Sequence, residues 1–91
     1  MKDIRAIQEV LVQLEDVLRR GNNPNWANAI ETLMHEFAQD PDTTVGDVIR
    51  LFGGSGSLND IVLYGNGTPL IRENNDLDKL RSNLYELCHA K

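Results

Sequence analysis

The stretch Leu51-Phe52-Gly53-Gly54-Ser55-Gly56-Ser57-Leu58-Asn59-Asp60-Ile61-Val62-Leu63-Tyr64 decides the fold, because it joins a helical front half to a β-hairpin. Two adjacent glycines are predicted to end the preceding helix, one of them with a positive φ. The polar residues 57–60 are placed to hydrogen-bond the bend that follows. We assign structural roles to Gly53, Gly54, Gly56, Asn59 and Asp60.

Two long helices are predicted before this stretch. Apolar residues recur every three or four positions over residues 3–20, which is typical of one face of an α-helix. We expect Gly21 to end that helix in the left-handed conformation. Asn23 is placed to cap a second helix that begins at Pro24 and ends near Gln39. The short connection between the two predicts an antiparallel helical hairpin.

A third, shorter helix is predicted to begin at Thr44, because a hydroxyl followed three residues later by Asp47 resembles a capping box. After the glycine-rich stretch, residues 61–64 read as a strand and residues 68–72 as its return strand. An Asn66-Gly67 pair favours a tight hairpin turn between them.

The last helix is predicted to follow a cap at Asn75, with Asp76 and Asp78 at the positive end of its dipole. The sequence therefore predicts a single α+β domain over residues 1–91 that is mainly α. It has about four helices, with one β-hairpin inserted before the C-terminal helix.

Composition narrows the classes of partner. The formal net charge is −5, the opposite of what a protein that binds the phosphate backbone needs, so we expect no nucleic acid and favour a basic protein partner. The one cysteine, Cys88, cannot form an internal disulfide, and the N-terminus resembles neither a signal peptide nor a membrane span. We expect a cytoplasmic protein without membrane contact.

No residue pattern indicates a catalytic, cofactor or metal site. The glycine-rich stretch has a helix before it and a strand after it and lacks a nearby Lys, whereas a phosphate-binding loop needs the reverse order. Glu31, His35 and Glu36 lack the spacing of a zinc motif, and Cys88-His89 lacks two further ligands. We therefore expect a non-enzymatic protein with no cofactor.

A protein interface is the remaining hypothesis. Trp26 is interpreted either as a core anchor that closes the helical hairpin or as an interface hot spot. The small polar residues Ser55, Ser57 and Asn59 either shape the bend or hydrogen-bond a partner. The residues that we expect to contact a partner are Trp26, Asp40, Asp42, Asp47, Asp60 and Glu73.

Three segments carry a family resemblance. They are Trp26-Ala27 after a polar turn, the Gly-Gly-x-Gly-Ser-x-Asn-Asp motif of residues 53–60, and the run Leu77-x-x-Leu80-Arg81-x-x-Leu84-Tyr85-Glu86-Leu87. With them the chain resembles a small, uncharacterised bacterial family similar to the immunity proteins of polymorphic toxin and contact-dependent growth inhibition systems.

The resemblance implies a cytoplasmic protein that binds and neutralises a cognate toxin domain, with a basic nuclease as one candidate. It transfers no catalytic motif. The alternative is a small structural or regulatory module, in which a homodimer would cover the apolar helical stripes.

Overall fold

The computed structural model of the chain describes residues 3–53 and 56–90. Within them the fold is α+β and mainly α, with a two-stranded antiparallel hairpin before the last of four α-helices, as predicted. The elements are α1 (Ile4–Arg20), α2 (Pro24–Gln39), α3 (Pro41–Arg50), a 3₁₀ turn (Leu58–Asp60), β1 (Tyr64–Gly65), β2 (Thr68–Pro69) and α4 (Ile71–His89). Among the described residues, no helix combines the length and the apolar character needed to span a bilayer.

The connection between α1 and α2 confirms one predicted cap and corrects the other. The side chain of Asn23 accepts a hydrogen bond from the Trp26 N–H at 3.1 Å, and Pro24 is the first residue of α2. Gly21, however, has a φ of −88°, and Asn22 takes the left-handed conformation with a φ of 63°. The glycine is required for a different reason, because a Cβ atom on Gly21 would lie 2.5 Å from Leu63 Cδ1.

The start of α3 lies earlier than predicted. Asp40 is its N-cap and accepts from the Thr43 N–H at 3.3 Å, and Pro41 opens the helix. A carboxylate cap followed by proline is a stronger start signal than Thr44. Thr44 is instead buried inside the first turn, where its hydroxyl donates to the Asp40 carbonyl at 2.7 Å.

The end of α3 also differs from the prediction. The helix ends at Arg50, and Gly53 continues as a turn in which its N–H donates to the Arg50 carbonyl at 3.1 Å. Gly53 does not have a positive φ, and Gly54 lies outside the described residues. Among the described residues of this stretch, Gly56 has a left-handed conformation, with a φ of +72°.

The hairpin is shorter than the sequence suggests. Its predicted turn is confirmed, because Asn66 and Gly67 both have a positive φ, of 54° and 79°, as a two-residue hairpin turn requires. Each strand has only two residues, however, and Tyr64 pairs with Pro69. The return strand stops there because α4 begins at Ile71, four residues before the predicted cap at Asn75.

The core lies where α1 packs against both α2 and α4. Cys88 is buried in it, as the apolar stripe of the last helix predicts. Trp26 is partly buried and packs against the same core from its edge. The largest fully buried side chains are Phe37, Ile7, Leu11, Leu14, Leu18, Ile30, Leu58, Leu63, Leu77 and Leu84.

Candidate functional site

Asp60 organises the bend at the glycine-rich stretch. Its Oδ2 atom accepts from the Gly56 N–H at 2.9 Å and from the Ser57 N–H at 3.2 Å. The Leu58 N–H donates to the Leu51 carbonyl at 2.7 Å and ties the 3₁₀ turn to the end of α3. These bonds hold an exposed carboxylate in a fixed orientation.

Arg81 supports the same bend from α4. Its Nη1 donates to the carbonyls of Leu58 and Ile61, at 3.0 and 3.1 Å, and its Nη2 pairs with Asp78. The side chain is only 16% exposed. Sequence reasoning gave Arg81 no structural or contact role, although a charged residue on the stripe of Leu77 and Leu84 was a signal that it has a buried partner.

The structure brings two predicted contact residues together around one cleft. Trp26 and Asp60, 34 positions apart in sequence, both line a cavity of about 210 Å³ between the start of α2 and the bend. Val62 also lines it and is 51% exposed. The described residues of the lining are Asn23, Trp26, Gly56, Ser57, Asp60, Ile61 and Val62, and we call this cavity the Trp26 cleft.

Three other predicted contact residues lie at the far end of α2. Asp40 and Asp47 line a shallow depression of about 270 Å³ together with Glu36, and Asp42 is exposed in the first turn of α3. Fourteen residues separate Trp26 from Asp40, which at 1.5 Å per residue is roughly 21 Å along the helix. Glu73 lies on neither of these surfaces, since it belongs to the first turn of α4.

The negative charge of the chain is concentrated in residues 21–49, which contain α2 and all of α3 except its last residue, Arg50. Residues 21–49 contain five acidic residues and no Lys or Arg, whereas the rest of the chain holds nine acidic and nine basic residues. The whole formal net charge of −5 therefore lies in this segment. We call its five carboxylates the acidic surface: Glu31, Glu36, Asp40, Asp42 and Asp47.

Comparison with known proteins assigns the chain to one family. A family model described as a domain of unknown function, DUF6966, matches residues 19–71, more than half of the chain. The chain belongs to the DUF6966 family. A search of curated proteins and a search of solved structures each found no match.

The DUF6966 match covers both candidate surfaces. It runs from the end of α1 through α2, α3 and the hairpin to Ile71, and so includes the acidic surface, Trp26 and Asp60. All of α4 after its first residue, with Arg81 and Glu73, lies beyond the match.

Some carboxylates of the acidic surface lie at a helix start and one lies at a helix end, and the helix dipole affects the two positions differently. Asp40 and Asp42 lie at the start of α3, where the helix dipole favours negative charge. Glu36 lies in the last turn of α2, where the dipole disfavours it and no basic residue compensates. Helix capping and the helix dipole therefore account for the two aspartates, whereas neither accounts for Glu36.

Glu31 and Glu36 are the members of this surface that sequence reasoning missed. Neither stands at a cap, and neither completes a motif, so a search for motifs passes over both. The signal that identifies them is the absence of Lys and Arg from residues 21–49. Glu31 approaches the Arg19 guanidinium at 3.6 Å, at the boundary where the acidic segment meets α1.

A larger groove of about 660 Å³ runs between α1 and α4. Of its described lining residues, only Arg20 lies within the DUF6966 match. Its apolar lining includes Val12, which is 51% exposed, and its charged lining contains both signs. The charged residues are Asp16, Arg20, Asp76 and Lys79. In contrast to the acidic surface, the charges of these lining residues sum to zero.

Asp60 lies in the 3₁₀ turn, whereas His35 lies in α2. Asp60 lines the Trp26 cleft, and His35 lies nine residues beyond Trp26 on an exposed part of the helix, roughly 14 Å away along its axis. Across residues 3–53 and 56–90, no group of three His, Cys, Asp or Glu side chains is placed to hold a metal ion.

Proposed function

We propose that this protein is a cytoplasmic immunity-type protein that binds a basic toxin domain and neutralises it. The observation that carries the proposal is the acidic surface: residues 21–49 hold five carboxylates and no Lys or Arg, on two helices that pack together. A partner with a positive patch would be steered to this surface and held in register by complementary charge. The family resemblance drawn from the sequence supplies the toxin as the class of partner.

A nuclease is the toxin class that this chemistry fits best. An enzyme that binds a phosphate backbone presents Lys and Arg along its substrate site. Carboxylates on a protein surface can take the place of those phosphates, so an inhibitor of this kind blocks the site by competing with nucleic acid for the same cations. The absence of basic residues from residues 21–49 removes repulsion from such a contact.

Co-expression tests the proposal directly. The protein encoded beside this chain is produced in a bacterial host, alone or together with the chain, and growth and complex formation are measured. We expect the neighbouring protein to arrest growth alone and the chain to restore it. Growth of the host without the chain, or failure of the pair to co-purify, would refute the proposal.

Two matched double variants locate the contact. Glu31→Gln with Glu36→Gln removes two charges from the acidic surface, and Glu9→Gln with Glu86→Gln removes two exposed charges elsewhere. We expect the first pair to slow association at low salt by about threefold or more and the second to leave it nearly unchanged. Equal association rates for both pairs would place the contact away from the acidic surface.

A homodimeric module is the second candidate. The half-exposed Val12 in the groove between α1 and α4 favours it, because a second copy would cover that side chain. Light scattering over a range of concentrations decides the point. A mass of one chain at every concentration would exclude the dimer, and a dimer that Val12→Asp dissociates would support it.

A further inference from the structure

The Trp26 cleft combines an aromatic side chain with one oriented carboxylate. We propose that it receives an arginine side chain of the protein partner. The proposal rests on the proposed function for the presence of a basic protein partner, and it goes further by naming the side chain that is recognised and the residues that recognise it.

The carboxylate of Asp60 supplies the charge. Its Oδ2 atom is fixed by the N–H groups of Gly56 and Ser57, and among the described residues no donor reaches Oδ1. Asp60 is also the one residue with an ionisable side chain in the described lining of the cleft. A carboxylate that is held in place by its own backbone is preorganised to accept a charge-assisted hydrogen bond.

The indole of Trp26 supplies the surface on which a planar cation stacks. A guanidinium group is attracted to the face of an aromatic ring and can donate to a carboxylate at the same time. Lysine presents a compact, strongly hydrated charge and lacks the planar face, so arginine fits this pair of groups better. The cavity of about 210 Å³ provides room for one side chain.

The nearby start of α2 does not turn the cleft into an anion site. Pro24 has no N–H, and the Trp26 N–H is already used by the side chain of Asn23. The Ala27 N–H donates to the Asn23 carbonyl at 3.1 Å. The backbone donors that attract anions to other helix starts are thus absent or satisfied at these three positions.

The distance along α2 is within the span of one partner. Trp26 and Asp40, at the far end of the acidic surface, are roughly 21 Å apart along α2, and a standard interface covers about 800 Å² on each partner, or close to 30 Å across. In that arrangement the acidic surface attracts the partner, and the arginine in the Trp26 cleft fixes its register.

A small probe tests the cleft without the partner. N-acetyl-arginine amide is titrated into the intact chain, and N-acetyl-citrulline amide serves as the neutral control of similar shape. Trp26 is the one tryptophan of the chain, so its fluorescence reports on the cleft, and the amide signals of Gly56 and Ser57 in NMR spectra provide an independent readout. We expect the arginine probe to half-saturate both signals at a concentration at least about fivefold lower than citrulline. Equal concentrations for the two probes would overturn the proposal.

Variants identify the groups responsible. Asp60→Asn keeps an oxygen that can accept from Gly56 and Ser57 but removes the charge, so it should abolish the preference for arginine while the fold is kept. Trp26→Phe, followed by NMR, should weaken arginine binding, and Glu9→Gln should not change it. An unaltered preference in Asp60→Asn would overturn the proposal.

The co-expression test separates this proposal from the proposed function. If the chain protects cells and binds its partner, but Trp26→Phe and Asp60→Asn bind that partner as tightly as wild type, the cleft is not the contact and the proposal fails. If the arginine probe binds the cleft but the chain gives no protection, the recognition of arginine stands and the immunity function is refuted.

Discussion

The side-chain amide of Asn74 hydrogen-bonds the backbone of Leu63 on both sides. Asn74 Oδ1 accepts from the Leu63 N–H at 2.8 Å, and Nδ2 donates to the Leu63 carbonyl at 2.9 Å. The same Nδ2 donates to the Leu70 carbonyl at 2.9 Å. Together with the backbone bond from the Leu70 N–H to the Leu63 carbonyl at 2.9 Å, this side chain of α4 holds the base of a hairpin whose strands have only two residues each.

Replacing Asn74 by Asp should destabilise the fold. The substitution keeps the shape but replaces the NH₂ donor by an oxygen, which leaves the carbonyls of Leu63 and Leu70 facing negative charge. We expect the free energy of unfolding in urea to fall by about 2–3 kcal/mol. Asn75→Asp is the matched control, since Asn75 is exposed on the same helix and should change stability by less than about 0.5 kcal/mol. Similar losses in both variants would contradict the role assigned to Asn74.

Gly21 should not tolerate even a methyl group. A Cβ atom there would lie 2.5 Å from Leu63 Cδ1 and 2.9 Å from Leu63 Cγ, and Leu63 is only 1% exposed, so relieving the clash requires a buried core side chain to shift. We expect Gly21→Ala to cost about 1–3 kcal/mol of unfolding free energy. The double variant Gly21→Ala with Leu63→Ala should lose less unfolding free energy than the sum of the two single losses, because the smaller side chain at position 63 removes the clash. Strict additivity would count against the clash.

Gly46 provides the opposite case within α3. Apart from its chain neighbours and the nearby backbone of its own helix, no heavy atom lies within 4 Å of a Cβ at this position, so alanine fits without strain. We expect Gly46→Ala to raise the free energy of unfolding by about 0.5–1 kcal/mol, because alanine favours the helix and restricts the unfolded chain. A lower melting temperature in this variant would show that α3 has less room than the structure gives it.

The glycines of the central stretch should differ in their tolerance of alanine. Gly56 has a φ of +72°, and its Ala variant should lose about 1 kcal/mol because L-residues avoid that conformation. Gly53→Ala should stay within about 0.5 kcal/mol of wild type, since a Cβ there meets its nearest neighbour at an ordinary 3.6 Å. Thermal unfolding of the two variants side by side measures the difference. A larger loss at Gly53 would restore the helix-stop role predicted from sequence.

Local signals in the sequence predicted the fold class and several of its boundaries. The Asn23 cap, Pro24 and the Asn66-Gly67 turn each act through their immediate neighbours, so their effect is visible without the rest of the chain. The start of α4 was not predictable in this way. Its cap, Leu70, makes no side-chain hydrogen bond, and Asn74 in its first turn bonds Leu63, eleven residues earlier, a contact that exists only once the chain has folded.

Of the two candidate surfaces, one could be found from local sequence and the other could not. The charge of the acidic surface is present in the sequence of residues 21–49, where Lys and Arg are absent, and counting charge by segment finds it. The Trp26 cleft requires the bend at Asp60 to pack beside the start of α2. The spacing of residues in the sequence does not show that Trp26 and Asp60 lie close together, although we expected each of them to contact a partner.

The support that Arg81 gives to this bend leads to the last prediction. Lysine keeps the charge but lacks the planar group that reaches the Leu58 and Ile61 carbonyls together, so Arg81→Lys should cost about 1–3 kcal/mol of unfolding free energy. It should also speed hydrogen exchange at the Asp60 N–H, which donates to the Ser57 carbonyl at 2.9 Å. Arg50→Lys makes the same substitution at an exposed residue and should change stability by less than about 0.5 kcal/mol. If exchange at Asp60 is unchanged while stability falls, Arg81 stabilises α4 rather than the bend, and the cleft does not depend on it.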